Sequence, residues 1–228
     1  WNIGITSQLF LPLLYDFTKR KALRNLTSKD FVFNLKPVTL TGFFAIKKYF
    51  NLKPIIIDDN CGLGIKINHD NPKTIGADRI VNSVAGIKKY GVPLIIIDIG
   101  TAITFDVIDE NSVYQGGAII PGIGISSEAL FLKTAKLPRV ELYKPEKIVA
   151  KNTMDNIRVG MVIGYIGLIE KLIDEIVKEM EFDSSKLKVV ATGGYSSLIS
   201  KDINKIDIID KKLTLDGMLE IYKMKKGL

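Results

Sequence analysis

The residues of this sequence best suited to chemistry follow the apolar segment 94–97, which leads into Asp98, Gly100 and Thr101. Four consecutive apolar residues predict a buried strand, and Ala102–Ile108 predicts a strand that returns beside it. A glycine lets the backbone approach a ligand closely, and N–H groups exposed at such a turn suit phosphate oxygens. The threonine adds a hydroxyl, and the aspartate can hold a cation beside them. The pattern indicates a nucleotide-phosphate site. A plain tight turn is the alternative, because Asp and Gly are both turn residues.

A second candidate site lies at the start of the helix predicted over residues 76–90, where the chain reads Gly76, Ala77, Asp78, Arg79. Apolar residues recur there at spacings of three and four, as on one face of a helix. The helix dipole favours an ionised Asp78 in the first turn, and Arg79 can bind a carboxylate or phosphate through two hydrogen bonds. The helix start can therefore offer a proton acceptor and an anion anchor together. Ordinary first-turn chemistry beside a surface arginine is the alternative.

Two further segments stand at the ends of predicted elements. Thr153 stands at the start of a long helix, predicted over residues 153–180, and is suited to be its N-cap; its hydroxyl could equally bind a ligand. Gly193 and Gly194 follow the predicted strand Lys188–Thr192. Paired glycines allow a flat ligand such as an adenine to lie against the backbone, and a plain turn is the alternative.

The long helix also carries Gly160, Gly164 and Gly167 among residues that are apolar nearly all round. A glycine inside a helix costs about 1 kcal/mol relative to alanine, so another helix is expected to pack closely there. Packing within the chain is one possibility. A homodimer is favoured, because a single subunit would struggle to bury so apolar a helix.

The remaining elements predict a mixed α/β fold. A hairpin turn is expected over residues 109–112 and a third strand over 113–119, with helices over 126–134, 195–202 and 214–224. Upstream, the sequence predicts strands over 31–35 and 53–58, an extended piece over 65–67, and helices over 8–15 and 40–50. Residues 91–93 give the most credible boundary, which divides the chain into domains 1–92 and 93–228.

Composition narrows the functional class. The 228 residues are 46% hydrophobic and 25% charged, as in globular proteins. The apolar runs are too short to cross a bilayer, and no segment has the pattern of a signal peptide, so a cytoplasmic protein without membrane contact is expected. Cys61 and His69 are the single cysteine and histidine. They provide neither a zinc site nor a hydrolase triad.

The net charge of +7 comes from 32 basic against 25 acidic residues. The basic residues are dispersed, without interleaved aromatics or a nucleic-acid fold signature. A lysine-rich solvated surface explains this charge, and anionic small substrates are compatible with it. No nucleic-acid partner is expected.

Taken together, these segments resemble the type III pantothenate kinases of the acetate and sugar kinase/Hsp70/actin superfamily. Six blocks in the same order carry the resemblance, at residues 76–82, 98–106, 116–122, 135–140, 151–153 and 191–194. The likeness covers most of the chain from about residue 52 onwards. It implies two ribonuclease H-like domains with mixed sheets, the N-terminal one incomplete. The implied reaction is the ATP-dependent phosphorylation of pantothenate, which is the first step of coenzyme A biosynthesis.

The resemblance also implies roles for the substrate-site residues. Asp78 would accept the proton of the pantothenate hydroxyl, and Gly76, Ala77 and Arg79 would line the site, with Arg79 pairing with the pantothenate carboxylate. Thr153 would contact pantothenate. His69 stands where many relatives have a tyrosine at the substrate site.

On the nucleotide side, Asp98 corresponds to the position that holds a potassium or ammonium ion, and Thr101 to one that contacts ATP phosphates. Thr101, Gly100, Gly193 and Gly194 are assigned to ATP, whose Mg²⁺ would arrive with the nucleotide, and Asp98 is assigned to the monovalent cation. The family is dimeric, with the active site near the subunit interface.

One departure concerns the start of the chain. The family's first phosphate motif, Asp-x-Gly-Asn-Thr, is absent, and residues 2–6 echo it without the carboxylate. Trp1 matches a tryptophan that lies after the second strand, so an upstream segment is expected to be missing from this sequence. A non-catalytic accessory or regulatory protein of the same fold is therefore the alternative function, ahead of a kinase for another substrate and a basic nucleic-acid module.

Overall fold

Two strands are described in the N-terminal part of the chain. The computed structural model describes Asp30–Phe33, Lys53–Ile56 and residues 65–227. The chain divides into two units, Trp1–Ile56 and Ile57–Leu228. In the first unit β1 (Asp30–Phe33) pairs in parallel with β2 (Lys53–Ile56), which confirms a strand in each predicted segment. The helices predicted over 8–15 and 40–50 lie outside the described residues.

The second unit contains a mixed sheet of seven strands. They are β3 (Lys66–Ile67), β4 (Leu94–Ile99), β5 (Ala102–Ile108), β6 (Val113–Gly116), β7 (Ile119–Pro121), β8 (Lys188–Thr192) and β9 (Ile208–Ile209). Their order is β3–β6–β5–β4–β8–β9, with β7 also beside β5. β4 is antiparallel to β5 and parallel to β8. The predicted mixed α/β class is confirmed.

Five helices accompany this sheet in the described part of the second unit. They are α1 (Ala77–Tyr90), α2 (Ile123–Lys133), α3 (Thr153–Glu179), α4 (Ser196–Ile199) and α5 (Leu213–Lys226). Short 3₁₀ turns cover Pro72–Thr74 and Ser200–Asp202. None of the helices in the described residues is long and apolar enough to cross a membrane.

The two faces of the sheet follow from the alternation of side chains along β4. Ile95, Ile97 and Ile99 contribute to a core cluster that includes residues of α3, whereas Leu94 and Ile96 pack with Ala85 of α1 and Leu213 of α5. Successive side chains of a strand point to opposite faces. The even-numbered positions of β4 therefore lie on the α1 side.

This alternation places two acidic residues on the α1 side of the sheet. Asp98 has the same parity as Ile96, and Asp106 of β5 lies directly opposite Ile96 in the antiparallel register. Residues directly opposite each other in a strand pair share one face. The sheet therefore presents both carboxylates toward the helix that begins at Ala77.

The prediction of one continuous third strand over 113–119 is wrong. The strand is split into β6 and β7, because Gly116 and Gly117 adopt φ values of 95° and 148°. A side chain at Gly117 would overlap the carbonyl of Phe105, so this strand break needs glycine. The predicted turn at 109–112 is confirmed, with the N–H of Asp109 donating to the carbonyl of Val113.

Other boundaries also differ from prediction. The helix expected at 126 begins at Ile123, and the last helix extends to Lys226. The helix expected over 195–202 is four residues of α-helix followed by a 3₁₀ turn. Strand β9 was not predicted, since two residues give no periodicity to detect. The domain boundary at 92/93 stays a prediction.

The N-cap of the long helix is not Thr153. Asn152 occupies that position, and its side-chain oxygen accepts a hydrogen bond of 2.9 Å from the N–H of Asp155. Asparagine caps at least as well as threonine, so Thr153 becomes the first residue of α3 and is left exposed.

Candidate active site

Asp98 lies near the end of β4, half-buried beneath α1. Its Oδ2 accepts a hydrogen bond of 3.2 Å from the side-chain amide of Asn82, one turn along α1 from Asp78. The Asn82 oxygen in turn accepts a 2.7 Å bond from the hydroxyl of Thr214 on α5. The carboxylate is therefore oriented by two successive side chains, neither of which was predicted.

Asp78 stands in the first turn of α1, with its carboxylate exposed. Its Oδ1 accepts a hydrogen bond of 3.0 Å from the backbone N–H of Arg79, which lies near the helix start. A side chain at Gly76 would overlap this oxygen. The glycine before the helix therefore leaves room for the carboxylate to fold back, while Oδ2 has no hydrogen-bond partner among the described residues.

The electrostatics of Asp98 depend on its burial and on the charge of Asp78. Burial raises the pKa of Asp98, the hydrogen bond from Asn82 opposes that rise, and the negative charge of Asp78 adds to it. The Asn82 amide that contacts Asp98 lies one turn along α1 from Asp78. The end of β4 therefore lies beside the first turns of α1.

Arg79 is not the surface arginine of the alternative interpretation, because its guanidinium is buried. Nε contacts Asp106 Oδ1 at 2.6 Å, and Nη2 donates to the carbonyl of Phe105 at 2.9 Å. Tyr114 donates to the same Asp106 oxygen at 2.9 Å, and its ring lies 5.7 Å from the guanidinium carbon. We call Arg79, Asp106 and Tyr114 the arginine cluster.

Electrostatics in the arginine cluster reflect its burial. Burial raises the pKa of Asp106 to about 6, against the lowering effects of the Arg79 charge and of the hydrogen bonds from Arg79 and Tyr114. The pKa of Tyr114 is also raised, by burial first and then by the charge of Asp106. Loss of the buried Asp106 charge would therefore leave the Arg79 charge uncompensated.

The turn after β4 is tight, as the sequence predicted. The N–H of Gly100 donates to the carbonyl of Ala102 at 3.0 Å, and that of Gly122 donates to the carbonyl of Thr101 at 3.0 Å. A side chain at Gly122 would overlap the carbonyl oxygens of Gly100 and Thr101. Thr101 is exposed, and its hydroxyl has no partner within the described chain.

Gly193 approaches the same strand end from β8. It has a φ of 93°, and a side chain there would overlap Asp98 Oδ1 and come within 2.6 Å of the carbonyl of Ile99. Gly194 beside it faces open space. The structure thus brings Asp98 and the glycine turns together at the end of β4, beside the first turns of α1.

Other predicted residues are not joined to this region by any described contact. Thr153 is exposed at the start of α3. His69 is exposed beyond β3, where its Nδ1 accepts a 3.2 Å bond from the N–H of Asn71. Its ring would lie 3.9 Å from a side chain built at Gly116, next to the glycine pair between β6 and β7. Within the described chain no group of three or more His, Cys, Asp or Glu side chains could hold a metal.

The three glycines of α3 have no neighbour within the described chain. Side chains built at Gly160, Gly164 and Gly167 would meet nothing within 4 Å. Leu168 beside them is exposed over 38% of its surface. Packing within the described chain therefore does not explain why this helix carries glycines.

The mixed sheet with helices on both faces, and a glycine turn that follows a strand-end aspartate, is compatible with the actin-like ATPase fold. Within that class, the chain belongs to the type III pantothenate kinase family. A sequence model of that family, "Type III pantothenate kinase", matches residues 35–175.

Relatives described as type III pantothenate kinases agree with this assignment. The protein from Finegoldia magna is 44% identical over 215 residues, which cover 94% of this chain and 81% of the relative. One from Geobacillus sp. is 50% identical, covering 77% and 67% of the two chains. One from Citrifermentans bemidjiense is 44% identical, covering 87% and 78%.

A solved structure resembles the fold. It is described as a Baf family transcriptional activator from Campylobacter jejuni, and the TM-score is 0.60 at 23% identity. The match covers 91% of this chain and 88% of that one. At this identity the likeness concerns the fold alone.

Proposed function

We propose that the protein phosphorylates pantothenate with ATP, the first step of coenzyme A biosynthesis. Membership of the type III pantothenate kinase family supports this activity. The observation that carries the assignment to a site is the exposed carboxylate of Asp78, held at a helix start in the field of Asp98. Asp98 leads directly into the glycine turn at Gly100, to which we assign the phosphates.

Asp78 is the proposed proton acceptor for the substrate hydroxyl. Its Oδ1 is held by the N–H of Arg79, and Oδ2 remains for the substrate. Phosphoryl transfer through a loose transition state depends mainly on positioning and charge neutralisation. General-base help then contributes roughly 10²–10⁴-fold, which a carboxylate fixed on a helix can supply.

The nucleotide is assigned to the region around the turn after β4. The Thr101 hydroxyl, which is exposed and has no partner in the described chain, would donate to a phosphate oxygen, with Gly100 beside it. The open space over Gly194, next to Gly193, suits a flat base. In this family the nucleotide brings Mg²⁺, which neutralises phosphate charge when bound.

A monovalent cation, potassium or ammonium, is assigned to Asp98. The donor set fits a hard cation, because a side chain built at Gly193 would overlap Asp98 Oδ1 and lie 2.6 Å from the carbonyl oxygen of Ile99, so that both oxygens border the same space. Asp98 also forms no ion pair with a basic side chain in the described part of the chain, and burial raises its pKa. A bound cation would supply the missing positive charge.

The pantothenate carboxylate is assigned to Arg79, with Gly76 and Ala77 at the same helix start. Thr153 and His69 are proposed as further substrate contacts. Thr153 would reach the site from a second subunit, since no contact within the described chain brings it there. The exposed glycines of α3 support a homodimer, and the two-domain ribonuclease H-like arrangement is proposed from the family.

The test is a coupled assay with pantothenate and ATP, with and without potassium, on the chain and its Asp78→Asn variant. The amide cannot accept the proton but keeps the shape of the side chain. We expect turnover to fall by about 10²–10⁴-fold, with ATP affinity by calorimetry nearly unchanged. Glu110→Gln, an exposed carboxylate in the β5–β6 turn, is the matched control and should keep full activity.

Equal turnover by Asp78→Asn and the parent chain would remove Asp78 from the mechanism. Activity that does not depend on potassium would refute the assignment of a cation to Asp98, and the kinase assignment would be unaffected. If the parent chain binds ATP and pantothenate but does not turn them over, the result would favour the alternative function, an accessory protein.

A further inference from the structure

The arginine cluster is more elaborate than a simple charge pair. Asp106 is fully buried and accepts hydrogen bonds from both Arg79 and Tyr114 on the same oxygen. Tyr114 is also fully buried, and comes from a different strand. Three elements, α1, β5 and β6, therefore converge to hold one guanidinium group.

This arrangement uses only part of the hydrogen-bonding capacity of Arg79. Nε and Nη2 are engaged by Asp106 and Phe105, whereas Nη1 has no hydrogen-bond partner among the residues that the structure describes. The side chain keeps 10% of its surface exposed. A planar guanidinium with two nitrogens fixed presents its remaining N–H groups in a fixed direction. It can then bind an anion without first losing rotamer freedom.

The position of Arg79 connects the cluster to the proposed chemistry. It follows Asp78 directly, and its backbone N–H holds the Asp78 carboxylate at 3.0 Å. The negative charge of Asp78 is also felt at Asp106 and Tyr114. A shift of the guanidinium would therefore move the anion anchor relative to the proton acceptor.

We propose that Asp106 and Tyr114 are positioning residues, which fix Arg79 so that it can bind the carboxylate of the substrate. The inference rests on the proposed function, because it takes pantothenate as the substrate. Asp106 neutralises the charge of Arg79 and fixes the orientation of its guanidinium group, and the Tyr114 hydroxyl holds the Asp106 carboxylate in place. A purely structural ion pair is the competing explanation, since buried pairs can often be replaced by apolar residues without loss.

Charge discrimination by the substrate site separates these explanations. The probes are pantothenate and its alcohol analogue, in which a hydroxymethyl group replaces the carboxylate, with affinities from calorimetry. Asp106→Asn keeps the shape but removes the charge. We expect the preference for pantothenate over the alcohol to fall by about 10–100-fold, as for a lost charged hydrogen bond. Arg79→Met should lose the same preference, and the double variant should lose no more.

Tyr114→Phe gives a second test that is mild enough to preserve folding. Removing the hydroxyl removes a donor to the Asp106 carboxylate, so the pKa of Asp106 should rise further above about 6. Arg79 on α1 and Thr104 on β5 also contact this carboxylate, and the charge of Asp78 on α1 raises its pKa; all three are unchanged. In the parent chain, KM for pantothenate should increase as the pH falls below about 6. In Tyr114→Phe, the increase should begin at a higher pH.

The opposite end of α1 provides a matched control. There Tyr90 donates to Asp210 at 2.7 Å, and Lys89 lies over its ring at 5.5 Å, which reproduces the cation–carboxylate–tyrosine arrangement away from the proposed site. Tyr90→Phe should leave both the preference for pantothenate and the pH dependence of KM unchanged.

Unchanged discrimination in folded Asp106→Asn, or an unmoved pH profile in Tyr114→Phe, would overturn the positioning role. A parent chain that does not bind or phosphorylate pantothenate would instead refute the proposed function. The two failures are distinguishable, because the parent chain is measured first.

Discussion

At the scale of single residues, the amide of Asn82 connects the C-terminal helix to the carboxylate at the end of β4. The side chain is 1% exposed, and both of its ends are occupied: its oxygen by Thr214 and its nitrogen by Asp98. Because the ionised Asp98 carboxylate can only accept, the NH₂ group of Asn82 must face it, and the Asn82 oxygen is left to accept from the Thr214 hydroxyl. Helix α5 therefore contributes to the site without touching the acid directly.

Replacing Thr214 by valine should destabilise the protein by about 1–3 kcal/mol, because it leaves the buried oxygen of Asn82 without its donor. The control is Thr74→Val, which also loses one hydroxyl donor, in this case to the carbonyl of Asn71 at 2.7 Å on the exposed surface. That change should cost less than about 0.5 kcal/mol. Urea unfolding measures both, and equal losses would show that Asn82 does not depend on Thr214.

The sequence could locate Asp78 at a helix start and Asp98 near a strand end, because periodicity marks both elements, while their roles in the site stay predictions. The sequence also indicated Arg79 as an anion anchor, but it did not predict that this residue belongs to a buried cluster. Asp106 and Tyr114 could not be predicted, since their contact depends on the register of β5 with β6 and on a shift in that register at residues 107 and 108. Residue types alone carry no information on such a shift.

At the scale of elements, the close approach of the β8 end to the β4 end depends on Gly193. Its φ of 93° lies where residues with side chains are strained, and the carbonyl of Ile99 leaves no room for one. The N–H of Tyr195 then donates to that same carbonyl at 3.0 Å. The turn after β8 thus holds the end of β4, which carries Asp98.

Gly193→Ala should therefore lower the free energy of unfolding by about 2–3 kcal/mol, through backbone strain and overlap with Ile99. Gly194→Ala tests the neighbouring position, where a side chain would meet nothing within 4 Å. It should change stability by less than about 0.5 kcal/mol. Thermal or urea unfolding of the two variants gives the comparison. If Gly193→Ala were as stable as the parent chain, the close approach described above would be contradicted.

Long apolar or amphipathic segments could be located from the sequence alone. The strands at Ala102–Ile108 and Lys188–Thr192 have their predicted bounds, and α3 ends one residue early. The third strand was wrong because its break is imposed by the carbonyl of Phe105 on another strand. Its cause lies outside the local sequence, as does the pairing of the two-residue strand β9 with β8.

At the scale of the whole molecule, the unexplained feature is the glycine face of α3. Three glycines in a helix interior cost about 1 kcal/mol each relative to alanine. Within the described chain, no neighbouring atom requires them. Residues at spacings of three and four share one helix face, so Gly160, Gly164 and Gly167 form a shallow surface. A second copy of the chain is the proposed occupant.

Gly164→Leu should disrupt this dimer while leaving the single subunit folded. The subunit has room for the side chain, and leucine favours the helix more than glycine does by up to about 1 kcal/mol. Across a close helix contact, the same side chain would hold the partner away. Sedimentation velocity should therefore show the dimer dissociating at concentrations at least about tenfold higher than for the parent chain, a difference of 1.4 kcal/mol.

The control adds an equally large apolar side chain at the other end of the same helix, by Lys178→Leu at an exposed position. This variant should sediment like the parent chain. If Gly164→Leu also sediments like the parent, the glycine face is not the subunit contact. If the parent chain is itself monomeric at micromolar concentration, the proposal that Thr153 acts from a second subunit fails as well. No partner subunit would then be present to bring Thr153 to the site.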